Sequence, residues 1–296
     1  MARLLEDLQR KGILVSDGAW GTMLVAAGMG AGECPELWNV EHPEVVSDIA
    51  KQYAEAGADI VLTNSFGGTR FKLEHFGLAD RVAELNEAAA RLSREAVGTD
   101  CCVLASMGPT GKMLMMGDVT EDELYRAFKE QAVALERGGA DACDVETMSA
   151  IDEACVAVRA VKENTGLEVV CTFTFGTPTD EGYRTMMGVS PAQMAPAVLD
   201  AGADVIGANC GLGAVEMVSV VEALRAAAPD TPILVHPNAG MPIQEDDGSV
   251  SYPESPSYMA ERIPQLIDAG ANIVGGCCGS SPDHIRAIAQ VVAQRR

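Results

Sequence analysis

AEAGADIVLTNSF (residues 54–66), ERGGADACDVETM (136–148), LDAGADVIGANCG (199–211) and IDAGANIVGGCCG (267–279) are four versions of one phrase. Each runs from the end of a helix into a strand. Its glycine, at position 57, 139, 202 or 270, suits the left-handed conformation at which helices stop. The small and β-branched residues that follow suit a strand buried on both faces. The copies lie 63 to 82 residues apart, the length of about two βα units, so one further strand and helix should fall between each pair.

Filling those gaps gives eight expected strands, near 13–19, 59–66, 101–108, 142–147, 168–175, 205–210, 233–238 and 273–278. Helices are expected over 43–56, 80–97, 121–137, 150–165, 191–201, 214–228, 256–269 and 282–295. Several begin on proline, whose missing N–H costs nothing in a first turn. Eight strand-then-helix units predict an α/β fold, a single-domain (β/α)₈ TIM barrel over 1–296. A doubly wound open sheet would usually bring a glycine-rich phosphate loop, and no G-x-G-x-x-G follows a strand here. Longer loops at 108–118, 176–188 and 238–256 follow strands three, five and seven, where a barrel builds the mouth of its site.

Composition narrows the function. With 48% hydrophobic and 4% aromatic residues, the core is aliphatic. The 21 basic and 43 acidic residues give a formal charge of -22, which repels nucleic acid and anionic membranes. MARLLEDLQRKG at the N-terminus has no apolar signal segment, and no apolar run is long enough to span a bilayer, so a soluble cytoplasmic protein is expected. Nine cysteines form no disulfide framework and point to a reducing compartment, where thiols remain available as ligands.

The repeat also serves as a ruler. Seven or eight residues beyond each glycine lie Asn64 and Ser65, Glu146, Cys210, and Cys277 with Cys278, all at strand ends on what would be the catalytic face. The three cysteines form a zinc-ligand set with one tetrahedral position left for a thiol, and the glycines at 275, 276 and 279 would let both adjacent sulfurs turn toward one ion. On spacing alone, ordinary buried cysteines explain them equally well, as they do Cys101, Cys102, Cys143, Cys155 and Cys171. Asp17 and Glu146 are candidates to hold a substrate ammonium, with backbone amides at 18–21 receiving a carboxylate. The bland alternative has Asp17 capping a turn and Glu146 pairing with a core cation. His236 reads as a satisfied core histidine.

DGAWGT, ELWNVEHPEVV, MGPTG, ANCGLG, HPNAGMP and GGCCGSSPDHI, in that order, resemble the homocysteine S-methyltransferases, especially the homocysteine-binding module of cobalamin-dependent methionine synthase. The likeness covers nearly the whole chain, and GGCC-G-x-x-P-x-H-I with an upstream N-C is its most specific part. It implies a (β/α)₈ barrel, Zn²⁺ on Cys210, Cys277 and Cys278, and homocysteine as the thiol to be methylated to methionine. It further implies that Asp17 and Glu146 hold the amino group while the Gly18 and Ala19 amides face the carboxylate, with no catalytic group beyond the zinc-held thiolate. Trp20, Asn64, Asn209 and Asn238 are candidate pocket residues, and Trp20 stands where members of the family vary.

The ANCGLG and PNAGMP loops look more like the corrinoid-dependent branch than like the branches using betaine, a sulfonium or S-methylmethionine directly. A barrel leaves no room in 296 residues for a cobalamin module, so methylcobalamin or another corrinoid is expected on a separate partner protein. Rival readings are action on another small thiol, a lyase of phosphorylated substrates with incidental cysteines, and a zinc-storing subunit.

Overall fold

Residues 3–245 and 250–296 are described by the computed structural model. Within them the four copies of the repeated phrase make the same bonds. The residue after each helix-stopping glycine donates its N–H to a carbonyl one turn back, Ala58 to Tyr53, Ala140 to Leu135, Ala203 to Val198 and Ala271 to Leu266. Such a bond requires a left-handed residue before it, and Gly57, Gly139, Gly202 and Gly270 hold φ of 102°, 103°, 110° and 116°.

The next residue, Asp59, Asp141, Asp204 or Asn272, grips one residue of the preceding strand from both sides. Its N–H donates to the carbonyl of Val15, Val103, Val169 or Ile233, and its side-chain oxygen accepts the N–H of that same residue at 2.7 to 3.0 Å. A basic side chain supports each grip: Lys11 on Asp59, Arg94 on Asp141, Lys162 on Asp204 and Arg225 on Asn272. The strands joined in this way are β1 (Leu14–Val15) to β2 (Ile60–Leu62), β3 (Cys102–Met107) to β4 (Ala142–Met148), β5 (Glu168–Phe173) to β6 (Val205–Asn209), and β7 (Ile233–His236) to β8 (Ile273–Val274).

All eight strands pair in parallel in the order β1-β8-β7-β6-β5-β4-β3-β2, and a bridge from Ser16 to Ile60 returns the sheet to its start. Helices run between the strands and cover the outside, completing a single-domain TIM barrel. Inside, the lower part is apolar, built from Leu14, Ile60, Leu62, Cys102, Leu104, Ala142, Val170, Val205, Leu234 and Ile273. Two residues higher on the same inward faces stand Ser16, Ser106, Asp144, Thr172 and His236, so the barrel turns polar toward its C-terminal mouth.

Several expectations need correction. The N-terminal segment is a helix, α1 (Arg3–Lys11), not anticipated because it is short and highly charged. Leu4 and Leu8 plug the barrel floor, and Glu168 accepts the N–H groups of Leu4 and Leu5 at the open helix start, where a carboxylate is favoured. The helix expected over 256–269 is two, Pro256–Ala260 and Ile263–Asp268, because Pro264 cannot donate to Ala260 and its ring would collide there. The last strand ends at Val274 rather than 278, so the cysteine pair lies beyond it. Small hairpins occupy the loops after β5 and β7, pairing Thr177–Thr179 with Gly182–Arg184 and Ile243–Gln244 with Val250–Ser251. Part of the expected 238–256 loop lies outside the described residues.

The repeated grip makes a stability prediction with a built-in control. Asp204→Ala should strip the Val169 N–H of its side-chain partner and destabilise the barrel by about 1–3 kcal/mol. Asp204→Asn, which copies the natural Asn272, should cost less than half as much. Denaturant titration of both variants checks the difference, and equal losses would remove the grip as the cause.

Candidate functional site

Cys210 follows β6, and its backbone is left-handed, with φ of 58°. Placing a non-glycine residue there costs about 1–2 kcal/mol. The Cys210 N–H donates to the His236 carbonyl at 3.0 Å, and the Thr174 hydroxyl donates to the Asn209 carbonyl just before it. Those bonds turn the sulfur across the mouth toward β8.

Beyond β8 the backbone is held as tightly. Gly276 donates to the Asp17 carbonyl, Cys277 to the Pro237 carbonyl, and Ala239 to the Cys278 carbonyl. A side chain at Gly275 would strike the Asp17 carbonyl and Ser16, and one at Gly279 would collide with the ring of Tyr252. The ligand atoms of Cys210, Cys277 and Cys278 all lie within 4.8 Å of one another, with Cys210 Sγ and Cys278 Sγ 3.7 Å apart. Sulfurs each ~2.3 Å from a tetrahedral zinc ion would be about 3.8 Å apart, so the donor set fits that metal with little movement. Hydrogen bonds from Cys210 and Cys277 pull the Cys278 thiol down to about 3, and the same sharing with Cys210 pushes the Cys277 thiol well up.

The three sulfurs open onto a cavity of about 400 Å³ that Asp17, Glu146, Trp20 and Asn64 also line. Asp17 is 1% exposed, and its Oδ2 accepts from the Leu62 N–H at 2.8 Å and from Trp20 Nε1 at 2.9 Å. Burial pushes its carboxyl up to about 7 against those two bonds. Glu146 is likewise pushed up to about 7 by burial, although Ser106 Oγ donates to its Oε1 and Asn209 Nδ2 to its Oε2. At neutral pH both carboxyls are poised between charge states, and a cation between them would favour the charged form.

Glu146 reaches the mouth through a bulge. Val145 pairs with Cys171 and Met148 with Phe173, so β4 carries one extra residue, and Thr147 takes φ of 61°. Asn209 locks this irregularity: its Oδ1 accepts the Thr147 N–H at 3.0 Å, while its Nδ2 donates to Thr147 Oγ1 at 2.7 Å. Asn209 therefore stands behind the acid. Asn64 spends its amide on the Pro35 carbonyl and Asn39 Oδ1, and Ser65 donates to the Ser106 carbonyl. Asn238 is buried, its N–H donating to the Leu212 carbonyl. The Ala19 N–H donates to Ser280 Oγ at 3.2 Å, and the Tyr53 hydroxyl to the Ala19 carbonyl, which anchors the 17–20 turn on both sides.

Sequence reading missed three participants. Tyr252, in the loop after β7, lays its ring against Gly279 beside the cysteine pair and helps to lower the Cys278 thiol. Ser106 and Ser280 hold Glu146 and the 17–20 turn. Only Ser280, inside the GGCCGSS stretch, carried a sequence signal. His236 differs from its expected satisfied state: burial pushes its ring down to about 3, and Nε2 has no hydrogen-bond partner among the described residues. No helix among the described residues is long and apolar enough to cross a membrane.

The family described as Homocysteine S-methyltransferase matches residues 14–292. Methionine synthase of Mycobacterium leprae (strain TN) is 35% identical over 308 residues, covering 98% of this chain and 25% of that protein. Methionine synthase of Mycobacterium tuberculosis (strain ATCC 25618 / H37Rv) is 35% identical over 306 residues, again covering 98% and 25%. This chain thus spans 25% of the length of these relatives. Among solved structures, the metallated form of the homocysteine methyltransferase MmuM from Escherichia coli superposes with a TM-score of 0.78 at 24% identity, covering 97% of this chain and 99% of the other, a likeness of fold.

Removing one sulfur tests the metal reading. Cys277→Ala should abolish stoichiometric zinc uptake, measured by elemental analysis after dialysis, while circular dichroism and the melting profile stay close to those of the unsubstituted protein without zinc. Undiminished zinc would show that the three thiols are not the ligands.

Proposed function

This chain belongs to the homocysteine S-methyltransferase family, and we propose that it methylates homocysteine to methionine with zinc on Cys210, Cys277 and Cys278 and a methyl-corrinoid on a separate protein as donor. The observation that carries the reading is the convergence of three sulfurs within 4.8 Å, on one cavity with two buried carboxyls. When bound, zinc supplies the acidity that turns an incoming thiol into a thiolate at neutral pH.

The chain's own residues do the rest. Asp17 and Glu146 receive the substrate ammonium, and its charge replaces water as the stabiliser of both carboxylates. The Gly18 and Ala19 amides face its carboxylate end, which takes over the long bond that the Ala19 N–H now makes to Ser280 Oγ. The sulfur is then aimed out of the mouth, toward a methyl group approaching in line. No general base need act during the attack, because the attacking sulfur is already a thiolate; the buried His236 ring, pushed down to about 3, would be a poor proton acceptor.

The rim supports a large donor. Apart from Val25, near the end of the helix Trp20–Ala26, the large apolar side chains exposed among the described residues lie on a loop or early helical turn that follows a barrel strand, including Phe66, Phe76, Met115, Met116, Met186 and Val250. Apolar surface gathered at one end marks a contact with something larger than a small methylated compound. A centre of free thiols suits a reducing compartment, the cytoplasm.

Three outcomes follow. Homocysteine affinity should be full above pH of about 7 and fall as pH drops through that value, because the ionised carboxylates are the binding forms. Glu146→Gln should weaken homocysteine binding about tenfold or more, near 1.4 kcal/mol, yet leave 4-mercaptobutanoate, which lacks the amine, almost unaffected in calorimetry. Zinc-loaded protein should transfer methyl from a methylcorrinoid protein and not from betaine or a sulfonium; full-rate transfer from either small donor without corrinoid would overturn the donor assignment.

A further inference from the structure

The helix Trp20–Ala26 begins three residues after Asp17, and that spacing folds its first residue back over the carboxylate. Trp20 Nε1 donates to Asp17 Oδ2 at 2.9 Å, and the Leu62 N–H donates to the same oxygen at 2.8 Å. Among the described residues no other residue donates to this carboxylate. The indole is half-buried, lines the cavity and packs on the apolar interior of the barrel, so the ring itself is held in place.

A carboxylate with both donors on one oxygen has a fixed plane. It also divides its labour: Oδ2 is spent on the indole and the Leu62 amide, and Oδ1 remains for the cavity that Asp17 lines. We propose that Trp20 is a positioning residue for homocysteine, whose indole N–H orients the Asp17 carboxylate so that Oδ1 meets the substrate ammonium. This inference rests on the reading that Asp17 holds the amine. It assigns Trp20 a polar role in substrate selection, distinct from a wall that merely narrows the pocket on the donor side.

A charged hydrogen bond oriented by a partner loses its advantage when the partner goes, and the loss appears only for ligands that use it. Trp20→Phe keeps an aromatic ring in the same place and removes the N–H. The expected result is homocysteine binding weakened about tenfold in calorimetry, KM raised with kcat nearly unchanged, and zinc content unchanged. Binding of 4-mercaptobutanoate should change less than about twofold. In an Asp17→Asn background, Trp20→Phe should cost no further homocysteine affinity, because the tryptophan acts through the carboxylate.

Equal losses for the two thiols, or additive losses in the double variant, would overturn the proposal and leave Trp20 as packing. If the unsubstituted protein failed to prefer homocysteine over 4-mercaptobutanoate, the fault would lie with the ammonium role of Asp17 itself, and the inference would fall with it. Preference in the unsubstituted protein combined with none of the expected Trp20→Phe effects would sink the inference alone.

Discussion

A side-chain oxygen that accepts the N–H of a strand residue whose carbonyl is held by the same partner is the bond on which this barrel's register turns. Asp59, Asp141, Asp204 and Asn272 each make it, at the start of the second, fourth, sixth and eighth strands. A one-residue slip in a parallel pair would exchange inward and outward faces, and this double grip forbids it at the bottom of the barrel. What is fixed there is fixed at the top, five or six residues on. Glu146, Cys210 and the Cys277–Cys278 pair therefore arrive at one height from three different strands.

Above the apolar lower layer, the interior changes character within two residues of strand. Asp144 and Glu146 occupy successive inward positions on β4, and burial raises both carboxyls. Keeping such groups away from water is expensive unless they are neutral or meet a cation. In the function proposed above, a substrate ammonium would offset that cost for Glu146, which lines the cavity. The strained backbone has the same address: among the described residues, the non-glycine ones with positive φ are Thr147 and Cys210, on either side of Asn209 in space, and both line the mouth. Strain of that kind persists only where surrounding bonds over-determine it.

The glycine-stopped repeat made the strand positions and the level of the site legible, because the helix stop and the βα period are local properties of sequence. Family resemblance then supplied the expected thiol. What stayed hidden depended on contacts between distant loops. Nothing near Asn209 announces that its amide closes a bulge on β4, since a bulge is visible only against its pairing partner. Tyr252 sits in a polar loop with no period to place it. Trp20 was visible as an unusual residue in a glycine-rich turn, but its hydrogen bond depends on how the helix after it begins. The break at Pro264 is legible in the proline alone, although the apolar pattern on either side of it is continuous with one helix.

The clustering of exposed methionine, phenylalanine and valine at one end of the molecule has a colloidal consequence. Two copies meeting face to face through that rim would bury apolar surface and block both mouths. A formal charge of -22 on each copy opposes this encounter at long range, more strongly in dilute salt than in concentrated. Surplus acid thus acts as a spacer between like molecules. A visitor that is neutral or basic on its contacting face feels no such barrier, so the same charge that deters self-capping leaves the entrance open to a different molecule.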